Sequence, residues 1–137
     1  MPFSVNLADR QYCLINVLQT PGTIAPNAGL TQLSSKLPGG LPGMADVLTT
    51  NGSFDLSIDQ PRTFSAMPAG GDTNTTFTGT MTGISFSGSG SGTFGETSAQ
   101  TSLKRGLTTV MVHLVVDKTI GTFPPGNYTS VVTLRCE

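Results

Sequence analysis

Apolar and polar residues alternate with a period of two along most of this chain, and no stretch carries the 3.6-residue apolar stripe of an amphipathic helix. The pattern therefore predicts strands and turns from end to end. Phe3, Val5 and Leu7 alternate with Pro2, Ser4 and Asn6 as a short half-buried strand that Ala8-Asp9-Arg10 ends, and a second strand, Gln11 to Leu18, carries Cys13. From Pro21 to Gly43 the dipeptides Pro21-Gly22, Pro38-Gly39 and Pro42-Gly43 mark turns, so this region is predicted as loop with at most one or two short strands near Leu30 to Leu33.

Phe54, Leu56 and Ile58 alternate with polar neighbours and predict an interior strand with one wet face. The run from Pro61 to Met67 is a further candidate strand, and Pro68 to Asn74 is a turn cluster. Thr75 to Phe86 alternates through Phe77, Gly79 and Met81, with threonines opposite. The Ser-Gly repeat from Ser87 to Gly92 is low in complexity and is expected to be a flexible connection. Leu107 to Val116 is apolar on both faces, as a central strand requires. After the rigid turn Phe123-Pro124-Pro125-Gly126, residues Tyr128, Ser130, Val132, Leu134 and Cys136 share one face of a last strand.

This spacing of strands and turns predicts an all-β fold, a single Ig-like (Greek-key) β-sandwich of about seven to eight strands. A small barrel or a jelly roll fits the same pattern. Composition agrees: 21 Thr, 13 Ser and 17 Gly in 137 residues favour pleated strands and turns over helices. The length suits one domain, read as residues 11–137, preceded by residues 1–10 as an N-terminal extension or first strand.

A net charge of -1 and only 11% charged residues leave no basic field to neutralise a phosphate backbone, so nucleic acid is not an expected partner. No apolar run is long enough to span a bilayer as a helix. Met1 to Val5 lacks the basic and apolar regions of a secretory signal, and a secreted chain is expected to have lost one. Cys13 and Cys136 stand near opposite ends of the sequence, and a bond between them would close almost the whole chain into one loop. In the chain-entropy picture such a closure stabilises by about 4–5 kcal/mol. Two buried thiols are the alternative, but Cys136 is one residue from the end, where burial is difficult.

Candidate chemistry is sparse. The single histidine, His113, lies inside the apolar strand, and no G-x-S-x-G elbow or phosphate-loop lysine accompanies it. Two cysteines and one histidine match no zinc spacing, while Asp55, Asp59 and Asp72 lie on or near loops whose turn carbonyls could complete an oxygen shell for calcium. No enzymatic activity, cofactor or metal is expected.

The closing segment Phe123-Pro124-Pro125-Gly126-Asn127-Tyr128-Thr129-Ser130-Val131-Val132-Thr133-Leu134 resembles the end of spore coat protein U domains and of archaic chaperone-usher pilins, where a Pro-x-Gly-x-Tyr turn leads into an alternating last strand. Met67-Pro68-Ala69-Gly70-Gly71-Asp72 is similar to a segment of small secreted proteins of Gram-negative bacteria. The resemblance implies an Ig-like sandwich lacking its final strand, which the N-terminal extension of the next subunit supplies by β-augmentation. Carried onto this chain, the donor is Phe3, Val5 and Leu7, and the alternative is that this segment pairs within its own subunit. Other copies or related subunits become the partners, with a periplasmic chaperone, and the location becomes the periplasm or surface of a Gram-negative bacterium.

The cysteines bear on that reading. Strands flanking a filled groove lie two strand spacings apart, about 9.5 Å, whereas a disulfide tolerates Cα separations up to about 7 Å. A Cys13–Cys136 bond therefore implies either a bond at one pole of the groove or two strands that are direct neighbours in a finished fold. The expected function is a structural subunit of a fimbrial, coat-like, adhesive or biofilm structure. The alternative is a self-contained secreted module that binds carbohydrate or another surface ligand through loops such as Gly70, Gly71, Asp72 and Asn74.

Overall fold

The computed structural model of the chain describes residues 12–18 and 22–137. The predicted strand at Phe3, Val5 and Leu7 lies outside the described residues. Among those described there are ten strands and no helix, arranged as two antiparallel sheets. Among the described residues no helix is long and apolar enough to cross a membrane.

The apolar run predicted as the central strand is β9 (Gly106–Lys118), and it organises the larger sheet. One of its edges pairs along its whole length with β6 (Thr75–Gly88), with a register shift between Gly83 and Ser85. The other edge is shared: β4 (Gly43–Thr49) pairs with residues 106–112, and β3 (Gln32–Ser34) pairs with residues 115–117. Outside these lie β1 (Cys13–Val17) on β4 and β2 (Ala25–Pro26) on β3, while β7 (Phe94–Thr97) closes the far side on β6. The smaller sheet is β10 (Thr133–Cys136), β5 (Asp55–Asp59) and β8 (Thr101–Ser102), in that order.

The core lies between the sheets in two clusters, and the alternation predicts which side chains enter it. Val110, Leu114 and Val116 of β9, Phe77 and Met81 of β6, and Leu56 and Ile58 of β5 all point inward and are buried. One cluster is built on Leu33, Phe64, Phe77, Leu114, Val116 and Phe123; the other is built on Val47, Leu56, Ile58, Met81, Leu103 and Val110. Val132 packs against both. Two segments differ from expectation. The stretch from Pro61 to Met67 makes only an isolated bridge, Ala66 to Thr129, although its Phe64 ring is buried in the first cluster. The Ser-Gly repeat is partly ordered structure: Ser87 and Gly88 complete β6, and the ring of Phe86 lies on buried Gly92, where a Cβ would stand 2.0 Å away.

Tyr128 anchors the crossover from β9 to β10. Its ring packs edge-on against Phe64 and Phe123, its hydroxyl donates to the carbonyl of Pro124 four residues upstream, and burial pushes its pKa up. The hydroxyl bond and the two ring contacts fix the chain where it approaches the last described strand.

Candidate functional site

The predicted cysteine pair is bonded. Cys13 opens β1 and Cys136 ends β10, with Cα atoms 6.2 Å apart. The two strands belong to different sheets and are not backbone-paired, so the bond is a covalent tie between the sheets rather than a link between ladder neighbours. Of the two arrangements the spacing allows, the structure has the bond at one end.

Register places that end. Cys13 lies opposite Thr49 and Val17 opposite Ala45, so Gly43 is about 20 Å along β4 from the level of the disulfide. Beginning at Ile15, the edges of the two sheets part and enclose an apolar cleft of about 570 Å³. One wall is Ile15 and Val17 of β1; the other runs from Tyr128 through Val132 to Leu134; the floor is Gly43, Ala45, Val112 and Leu114 from the inner face of the larger sheet. Neither cysteine lines it.

The β1 wall is a sheet edge, and the other wall joins one where β10 begins at Thr133. Among the described residues, β1 has β4 on one side and no strand on the other, and β10 likewise has only β5. Unpaired edges carry free backbone donors and acceptors. The β1 edge is also poorly covered, with Leu14 55% and Val17 74% exposed.

The floor is held at a gap in the ladder. Between the part of β9 served by β4 and the part served by β3, residue 114 has no strand partner on that edge. Ser35 supplies one: its amide donates to the Leu114 carbonyl at 3.0 Å, and its hydroxyl oxygen accepts from the Leu114 amide at 3.0 Å. The same hydroxyl lies 2.7 Å from Nδ1 of His113 and 3.4 Å from the Leu114 carbonyl. A serine beside a histidine could suggest a nucleophile, but this one is buried, and its oxygen accepts from the Leu114 amide.

Burial, and then the Lys36 ammonium, lower the His113 pKa, while Glu96, which is ion-paired to Lys36, opposes them. A histidine whose folded pKa is depressed binds its proton more readily when unfolded, so stability falls as pH drops below the ordinary value of 6.5. Denaturant midpoints measured between pH 7.5 and pH 5 should decline, and His113→Gln should flatten that slope. An unchanged slope in the variant would assign the decline to other groups.

The other predicted residues are placed apart from the cleft. Gly70, Gly71, Asp72 and Asn74 form a turn cluster whose polar groups largely serve the fold. Gly71 donates to Pro68, Asp72 accepts from Thr63 at 2.8 Å, and the Asn74 carbonyl accepts from Thr119 at 2.9 Å. Asn74 has φ 55°, a conformation asparagine tolerates. Asp59 pairs with Arg135 at 2.9 Å, and Asp55 accepts from Gln100 at 3.2 Å. Among the described residues no three of His, Cys, Asp and Glu gather as a metal site. Sequence alone does not mark the cleft floor, because Gly43 and Ala45 carry no chemistry and their proximity to Val132 arises from topology.

The described chain is thus a disulfide-tied, two-sheet all-β sandwich with an apolar cleft between the edge of β1 and the segment that leads into β10. No family model, curated protein or solved structure matches it.

Proposed function

We propose that this protein is an assembly subunit of a bacterial cell-surface structure, and that its cleft takes an extended strand supplied by residues 1–10 of another copy. The observation that carries the reading is the strand order. Taken in chain order, the six principal strands β1, β4, β5, β6, β9 and β10 correspond to A through F of an Ig constant-type sandwich, in which A-B-E-D packs over C-F-G. Here β1-β4-β9-β6 is the first sheet and β10-β5 begins the second. The place of G, beside β10 and across from β1, is the cleft.

A strand added there would gain backbone hydrogen bonds from a free edge, and every second side chain would enter the apolar interior. Phe3, Val5 and Leu7 have that alternation. The disulfide fits export to an oxidising compartment such as the periplasm, where a chaperone would hold the cleft before assembly. The resemblance of the closing segment to archaic chaperone-usher pilins and spore coat U domains points the same way.

Deleting residues 1–10 should leave a monomer that unfolds at lower denaturant and binds a peptide of that sequence. A deletion variant as stable as the parent, equally associated and indifferent to the peptide, would refute the reading.

A further inference from the structure

We infer that Asn51 is a modification site, at which the chain deamidates through a cyclic imide closed by the amide nitrogen of Gly52. The inference is independent of strand insertion.

Asn51 and Gly52 lie in the turn that joins β4 to β5, and they are the only Asn-Gly pair in the sequence. Imide closure asks three things of such a turn: a nitrogen free to attack, a side-chain carbonyl able to take up charge, and an amide group able to leave. The nitrogen is available. Gly52 is exposed, and its amide donates no hydrogen bond among the described residues. A Cβ at this position would meet only the Leu103 carbonyl, at 3.9 Å, so the peptide has room to turn onto the side chain before it.

The carbonyl is prepared. Oδ1 of Asn51 accepts from the Ser53 amide at 2.8 Å and from the Ser53 hydroxyl. Two donors on one oxygen draw charge from Cγ and stabilise the oxyanion that forms as nitrogen adds, the same electrostatic help that paired donors give to acyl transfer. The leaving group is in the opposite condition: Nδ2 is buried and has no acceptor among the described residues. A buried donor without a partner is disfavoured, and its loss as ammonia removes that penalty.

In the closing step the Gly52 N–H gives its proton to a solvent base, the N–Cγ bond forms and the Cγ–Nδ2 bond breaks, and ammonia leaves with a proton taken from solvent. Water then opens the imide, at Cγ to give aspartate or at the main-chain carbonyl of residue 51 to give isoaspartate. Either product adds one negative charge to a chain whose net charge is -1. Isoaspartate also routes the main chain through Cβ, which lengthens the turn between the two sheets.

Asn27 gives the contrast within the same fold. Its Oδ1 accepts from the amides of Thr31 and Gln32, its Nδ2 donates to the Thr31 hydroxyl at 3.0 Å, and Ala28 follows it. There the leaving amide is held and the attacking peptide carries a side chain.

Incubation of the full chain in mildly alkaline buffer, followed by peptide mass mapping and enzymatic labelling of isoaspartate, tests the site. Asn51 should convert about tenfold faster than Asn27, or more. Gly52→Ala should slow the reaction by a similar factor, and Ser53→Ala should slow it several-fold by removing one donor. The Asn51→Asp variant supplies the reference for the aspartyl product, and circular dichroism checks that each variant is folded. Conversion of Asn27 or Asn127 ahead of Asn51, or no acidic product at Asn51, overturns the site. An unchanged rate in Ser53→Ala overturns the activation by Ser53. The comparison of Asn51 with Asn27 needs no variant, so it decides the site even if a substitution in the turn disturbs folding.

Discussion

Replacing Cys13 and Cys136 together by alanine is expected to lower the unfolding free energy by about 4–5 kcal/mol. The bond spans 123 residues, so in the unfolded chain it closes a loop close to the longest this sequence permits. Domains of this size are stable by about 5–15 kcal/mol, and the loss is a large share of that. In the folded state Cys13 and Cys136 both pack against the cluster of Val47, Leu56 and Met81, so alanine also removes some apolar contact. In urea the midpoint should fall by about 2 M. A shift below a quarter of that would mean that the reduced chain is already constrained, or that the bond strains the fold.

Phe64→Ala should cost about 3–5 kcal/mol. Phe64 is 4% exposed and sits among three aromatic rings: Phe77 at 4.9 Å, Tyr128 at 4.9 Å and Phe123 at 6.4 Å between centroids. Its segment lies outside both sheets, bonded to the chain near Thr129, and the ring is what pins that segment to the core. Truncation would leave a cavity bordered by side chains from β6 and the crossover, which cannot close around it without moving Tyr128. Thermal unfolding of the variant measures the loss, and near-parental stability would show that the neighbouring rings repack.

Strands with contrast between their faces were legible. In β5 and β6 buried apolar residues alternate with polar ones, and in β9 Val110, Leu114 and Val116 are buried while Met111 and Val115 on the other face are half-buried. β4 was missed because its contrast is weak: inward Ala45, Val47 and Thr49 face outward Met44, Asp46 and Leu48, with polar and apolar residues on both sides. Gly43 follows a proline, which predicts a turn, yet it begins this strand.

The alternation predicts a last strand from Asn127 onward, with Tyr128, Ser130, Val132, Leu134 and Cys136 on one face. The face is right, since Tyr128, Val132, Leu134 and Cys136 all pack inward, but ladder pairing begins only at Thr133. The partner strand β5 ends at Asp59, opposite Thr133, and Thr129 bonds instead to Ser65 and Ala66. The disulfide was legible from two residues. The cleft was not, because its walls and floor come from segments far apart in the chain that meet only when β1 and β10 end up as facing edges.

Strand insertion is tested most directly by hydrogen exchange of the chain lacking residues 1–10, with and without a peptide of that sequence. Slowed exchange concentrated in residues 12–18 and 128–136, the two walls of the cleft, is the predicted result. Unchanged exchange in both walls at saturating peptide, or protection confined to the turn at Gly70 to Asn74, would contradict it.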